Sequence, residues 1–343
     1  MKKIFINKYF YFFVVLFISA YVLFAFVKHP GMNWYERAMV HDMIYGSAWK
    51  PFVYRTLLPT SVRIVTSVIP ESVNNEISNA VSNTDWMKLG FSKFKWETEY
   101  ATEYFIACCF MLASLVGFAF TFRWFMRSIY PSPDWFSNLF TYISLLGLPA
   151  IFQYYSYLYD FTTLFLFTLG LVLMYKQKWN AFLIVYFLAC INKETTILLT
   201  MIFAIYFFNE NRFDRKLFNK LIVIQLIIFI IVKTSLYFIF INNQGGIVEF
   251  HLFDYNVRIL SRYSLTIFAV IAGILLLLFY KWNEKPEFLK SSLWAAVPLL
   301  VLSLFFGVID ELRDYYEVYP SFALLLGYSA AKILDIKIVT TNN

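Results

Sequence analysis

AFLIVYFLACINKETTILLTMIFAIYFF, residues 181–208, is two short apolar runs parted by Asn192, Lys193 and Glu194. Each run falls short of the about 20 residues a helix needs to cross about 30 Å of hydrocarbon. The stretch reads either as two short helices with the charged triplet between them, or as one long helix with the triplet buried at its centre. The choice reverses the sidedness of everything that follows. Working outward, apolar segments fall at 8–27, 104–125, 136–153, 161–175, 180–191, 195–208, 219–240, 264–280, 291–307 and 321–334. Taking the two-helix reading gives ten helices.

Composition agrees with a membrane location. A chain that is 60% hydrophobic, 22% aromatic and only 15% charged has too little polar surface to coat a globule. Charge arbitrates the helix count, because Lys and Arg of short loops stay on the cytoplasmic side. With ten crossings and the N-terminus inside, 16 of the 29 Lys and Arg residues are inner, among them Lys2, Lys3, Arg123, Arg127, Lys176, Lys178, Arg212, Arg215, Lys216 and Lys281. Eight more lie in one long outer loop, 28–99, which the rule does not count, Lys233 is within a helix, and four remain in short outer loops. Acidic residues divide 16 outside and 6 inside, so the net +7 splits into +10 inside and −3 outside. The sequence therefore predicts an all-α polytopic membrane protein, 1–343 forming a single transmembrane domain, with a first extracytoplasmic loop at 28–99. Topology and contact with anionic inner-leaflet lipid account for the positive charge, which gives no reason to invoke nucleic acid.

MKKIFINK followed by about 20 apolar residues, with no small-residue cleavage site, reads as a retained first helix. Cys108, Cys109 and Cys190 all sit in apolar segments, as small buried hydrophobes do. His29, His41 and His251 share no metal-ligand spacing, and the sequence indicates no cofactor.

The inner connections at 209–220 and 281–290 look like solvated turns with anchoring charge. The outer ones, YLYDF at 157–161, INKETT at 191–196, VIDELRDYYEVYP at 308–320 and the long first loop, set ionisable groups against apolar helix ends, where charge is costly unless paired or used. Within the first loop, Val53, Leu57, Leu58, Val62, Val65 and Ile69 share one helical face with Arg55 and Arg63 off it, which predicts an interfacial helix over 51–70.

A short inner tail, one helix, a long first outer loop with interfacial helices, and many further helices with charged outer ends resemble the GT-C superfamily of membrane glycosyltransferases. WKPFVYRTLLP at 49–59, YLYDFTTLFLFTLGL at 157–171 and INKET at 191–195 are similar to bacterial membrane proteins of that kind. The usual Asp-Glu or Asp-Asp pair after the first helix is absent. The resemblance implies transfer of sugar from a polyprenyl-phosphate carrier to a glycan, lipid or protein acceptor, at the extracytoplasmic face of a bacterial cytoplasmic membrane.

That chemistry needs a carboxylate to deprotonate an acceptor hydroxyl and cations to hold the phosphate. Asp42 and Glu36, which follow the first helix, are the candidate bases, with His41 beside Asp42. Arg55, Lys193 and Arg313 are the candidate phosphate ligands, because Arg offers a bidentate fork and Lys a point charge. Asp160 and Glu194 are further candidate binding residues, and Glu311 or Asp314 would orient Arg313 or contact the acceptor. Each has a plainer alternative: a Lys193–Glu194 ion pair, Asp160 as a helix N-cap, and Arg313 paired with Glu317 one turn on in an exposed outer turn. Tyr154, Tyr155, Tyr157 and Tyr159 suit a lipid groove or, more simply, an interfacial aromatic belt. A transporter or flippase of a lipid-linked saccharide would use Lys233 and the Lys193–Glu194 pair, though no internal repeat supports it. A polysaccharide polymerase or ligase would use the same face and carrier.

Overall fold

A computed structural model describes residues 8–208, 213–246 and 250–338; Lys2, Lys3 and Arg212 lie outside these. The described residues form helices joined by turns, with no strand. Each of the ten apolar segments is helical. Four helices are long and apolar enough to cross a membrane, Lys8–His29, Thr98–Ile129, Arg215–Ile239 and Glu287–Phe306, and they point to a membrane protein. Asp160–Tyr175, Trp179–Asn192, Glu194–Phe207 and Leu265–Phe279 are apolar but shorter.

The bundle begins with α1 (Lys8–Phe26), whose buried stripe of Tyr11, Val15, Ile18, Val22 and Phe26 repeats at three and four residues. The first loop then holds α2 (Val40–Tyr45), α3 (Leu57–Ser67), α4 (Glu71–Asn83) and α5 (Asp85–Phe94). The helix expected over 51–70 is divided. A 3-10 turn spans Phe52–Tyr54, Arg55 is non-helical at φ −96° and ψ 69°, and only then does α3 start. Leu58 and Val62 of α3 are buried, and the helix packs onto the bundle rather than lying apart on an interface.

Next come α6 (Ala101–Ile129), α7 (Asp134–Gly147) and α8 (Asp160–Tyr175). Gly117 lets α6 and α8 approach closely, since a Cβ there would meet the Phe165 ring at 2.9 Å. The stretch 181–208 resolves into α9 (Trp179–Asn192) and α10 (Ile197–Phe207), parted by Lys193 in an extended conformation at φ −154° and ψ 149°. They fold back on each other. Tyr186 Oη lies 2.8 Å from Thr200 Oγ1, and the Trp179 ring packs 5.5 Å from Phe207. In one continuous helix residues 186 and 200 would be about 21 Å apart.

The chain continues through α11 (Arg215–Ile239), α12 (Val257–Leu260), α13 (Leu265–Phe279), α14 (Glu287–Leu293), α15 (Ala296–Phe306) and α16 (Tyr319–Ile333). Only Leu278 of α13 is buried; the rest of that apolar helix turns outward, as do Val223, Ile227, Ile230 and Ile231 of α11. Two sets of contacts mark the bundle's ends. At one end Lys178 sits 5.4 Å over Trp124, Tyr130 packs on Tyr328 at 5.5 Å, Tyr175 on Phe288 at 5.2 Å and Trp179 on Phe213 at 5.3 Å. At the other, Ser156 Oγ donates to Phe26 O at 2.9 Å, Thr56 N to Ile191 O at 3.2 Å, Lys50 N to Gln244 O at 2.8 Å and His251 N to Phe305 O at 2.8 Å.

Candidate functional site

The second end holds an open cavity of about 1040 Å³. Its polar side comes from the first loop, the 154–157 turn, the tip of the α9–α10 hairpin and the 307–314 turn. Its apolar side comes from α11 and α15, through Phe229, Leu236, Leu299, Leu302 and Phe306. Six Lys and Arg side chains and three Asp and Glu side chains line it.

The break at Lys193 sends neighbouring charges apart. In extended backbone successive side chains point to opposite sides, and the expected Lys193–Glu194 pair does not form. Lys193 Nζ instead lies 3.1 Å from Glu317 Oε1, both side chains being buried. Glu194 faces Arg55: Arg55 Nε donates to Oε2 at 3.2 Å and Nη2 donates to Oε1. Arg55 Nη1 donates to the Tyr159 hydroxyl, and the guanidinium stacks 4.4 Å over the Tyr159 ring.

Arg313 repeats the arrangement. Its segment is a turn with a four-residue 3-10 helix, Leu312–Tyr315, and helix resumes only at Tyr319, so the expected one-turn pairing with Glu317 is absent. Arg313 Nε donates to Glu311 Oε1 at 2.8 Å and Nη2 to the same oxygen; Nη1 lies 3.6 Å from Asp160 Oδ1 and 3.9 Å from Asp314 Oδ1. The guanidinium sits 4.1 Å over Tyr157, which stacks on Tyr159 at 5.5 Å and 5°. Two tyrosine rings face to face thus carry one guanidinium each. Arg313 is 6% exposed and Glu317 1%, which excludes an exposed turn. Burial opposes the Arg313 charge, but Glu311, Asp160 and Asp314 outweigh it and hold the guanidinium more firmly protonated than usual. Burial pushes the Glu311 carboxyl up from its ordinary value, against the pull of Arg313.

Asp160 is the first residue of α8, yet it does not cap the helix's amides. Its Oδ2 accepts from the preceding Tyr157 N at 3.1 Å, and it stands behind the lining as a support for Arg313. Tyr154, Tyr155 and Tyr157 line the cavity rather than forming only a belt. Asn256, which sequence reading passed over, ties the 307–314 turn down: its Nδ2 donates to Ser303 O at 3.0 Å, Leu304 O at 2.8 Å and Gly307 O at 2.9 Å, and its Oδ1 accepts from Ile309 N at 2.9 Å.

Six of the seven expected binding residues, Arg55, Lys193, Glu194, Glu311, Arg313 and Asp314, therefore line one cavity, with Asp160 one layer behind. The two expected bases do not. Glu36 is exposed on a 3-10 turn, and Asp42 Oδ1 accepts from Ser47 Oγ at 2.6 Å beside His41, whose ring stacks on Tyr100 at 4.9 Å. Lys233, a lone charge in the apolar run of α11, also lines the cavity; that isolation was its signal in the sequence. Fold and cavity together define a helical membrane protein with a charged, half-apolar chamber at one end. No family model, curated protein or solved structure matches the chain.

Proposed function

We propose that the protein is a membrane glycosyltransferase that moves sugar from a polyprenyl-phosphate carrier to an acceptor on the extracytoplasmic side. One observation carries this reading: a cavity of about 1040 Å³ joins charged and tyrosine-rich walls to an apolar wall on α11 and α15. A lipid-linked sugar phosphate has the same division, a polar head on an apolar chain. Tyrosine faces suit sugar rings, and an apolar wall beside the charged one strengthens electrostatic contacts.

Ten alternating crossings with the N-terminus inside belong to the proposal. Its support is that the connections assigned inward by charge meet through Trp124, Tyr130, Tyr175 and Phe288, whereas those assigned outward meet around the cavity. Asp314 supplies the base. Glu194 is occupied by Arg55 and Glu311 by Arg313, whereas Asp314 accepts no hydrogen bond among the described residues and its side chain is 29% exposed. Its carboxylate takes the acceptor hydroxyl's proton as that oxygen bonds to the anomeric carbon. The bond from that carbon to the phosphate oxygen breaks, and polyprenyl phosphate leaves with the electron pair. Lipid extracted from the purified protein should contain a polyprenyl phosphate, with or without its sugar, by mass spectrometry; phospholipid alone would count against the reading.

A further inference from the structure

The segment expected to lie along the interface, 51–70, packs onto the bundle, but α5 of the same loop is placed where the bilayer ends. On α6, Glu103 and Arg123 bracket 19 residues without a charge, 104–122, and on α1 Lys8 and Lys28 bracket another 19, 9–27. At about 1.5 Å per residue each run spans about 28 Å, close to the about 30 Å of hydrocarbon. The apolar layer therefore ends near Tyr104 and Lys28 on the cavity side. α5 crosses both helices at that level. Its Phe91 ring lies 6.1 Å from Tyr104 and 5.9 Å from Phe105, and Trp96, just past the helix, stacks on Tyr104 at 4.6 Å. Asn33, beyond the end of α1, donates to Lys95 O at 3.0 Å and to the Tyr104 hydroxyl at 2.8 Å.

The sides of α5 differ. Met87, Phe91 and Phe94, spaced by four and three, pack toward the bundle. Trp86 and Leu89 turn away from it and are 69% and 57% exposed. Asp85, Lys88 and Ser92 form a polar third side. Trp86 is five residues from Phe91, about 7.5 Å along the helix, and the charges of Asp85 and Lys88 keep that end from sinking into hydrocarbon. Trp86 therefore lies within the interfacial layer, about 5–8 Å deep. Trp34 is exposed beside the helix's other end, with Lys95 Nζ 4.0 Å over its ring.

We propose that α5 is a membrane anchor whose partner is the lipid surface itself: Trp86 and Leu89 enter the boundary between headgroups and acyl chains in the leaflet on the cavity side. An indole ring suits that boundary, being apolar in body and polar at its N–H. Over 85–99 the cations Lys88, Lys93 and Lys95 are balanced by Asp85, Glu97 and Glu99, so attachment rests on the apolar side chains and needs no anionic lipid. The inference requires a membrane protein but not the glycosyltransferase reading. The same loop supplies Tyr35, Phe52 and Arg55 to the cavity, so the anchor holds one cavity wall at the depth where acyl chain gives way to headgroup.

Nitroxide labels at Trp86→Cys, Leu89→Cys and Lys88→Cys, one at a time, test this in phosphatidylcholine bilayers, with Cys108, Cys109 and Cys190 replaced by alanine. Labels at 86 and 89 should meet dissolved oxygen several-fold more often, relative to a water-soluble nickel chelate, than the label at 88. Adding phosphatidylglycerol should leave the ratios unchanged. The unaltered chain provides a second measurement that no substitution can disturb: a phosphatidylcholine with a photoreactive group at the base of its headgroup should crosslink to the peptide containing 86–89. Ratios at 86 and 89 as low as at 88, with no crosslink, overturn the inference. Raised ratios only with phosphatidylglycerol would make the contact electrostatic and also overturn it, as would dipolar coupling between labels on two copies, which would assign the face to a second chain.

Discussion

Asp314 and Asp42 are the same side chain in different positions, and position separates them. Asp314 is inside the cavity, where its one ion pair among the described residues is a 3.9 Å contact to Arg313, whereas Asp42 is outside it and bonded to Ser47. Asp314→Asn should therefore lower single-turnover transfer by about 10²–10⁴, the loss typical of a missing general base. Asp42→Asn and Glu36→Gln should each stay within about an order of magnitude of wild type. The opposite ranking would return the base to the first loop. The binding residues were legible one by one, because charge at an apolar helix end is costly unless used. Their pairing was not. Lys193 and Glu194 are adjacent in sequence, but extended backbone gives them to different partners, Glu317 and Arg55. Spacing also suggested Arg313 with Glu317, and that required a helical turn the chain does not make there.

Among elements, the 307–314 turn depends most on distant support. Asn256 is fully buried and makes four hydrogen bonds to 303–309, holding the end of α15 and the start of the turn that carries Glu311, Arg313 and Asp314. Asn256→Ala removes a donor from three carbonyls and the acceptor of Ile309 N, at about 1 kcal/mol for each lost hydrogen bond. Amide exchange over 307–318 should rise several-fold and the melting temperature should fall; unchanged exchange would show that the turn holds its own shape. Hydropathy placed the apolar helices well, since length and composition carry that information. It merged 51–70 into one helix because the apolar period runs through Arg55, where the backbone departs from helix to bring that side chain against Glu194 and Tyr159.

At the scale of the whole molecule, the ten-crossing proposal places the two clustered ends on opposite sides of the bilayer. Asn242 and Asn283 are both exposed, one beside the cavity end and the other in the connection before α14. A cysteine at Asn242 should react with an impermeant thiol reagent added outside, and one at Asn283 only after the membrane is opened. The reverse pattern would invert the protein and move the chamber to the cytoplasmic side. On this reading the α9–α10 hairpin has a mechanical consequence. Its arms have 14 and 11 residues, about 21 Å and 17 Å long at about 1.5 Å per residue, against about 30 Å of hydrocarbon. The leaflets must dip toward the hairpin tip, at fractions of a kcal/mol per Å of mismatch. Lys193 and Glu194 thus sit at the floor of a dimple in the bilayer, and the acyl-chain length of the surrounding lipid sets how much elastic strain accompanies each carrier that arrives.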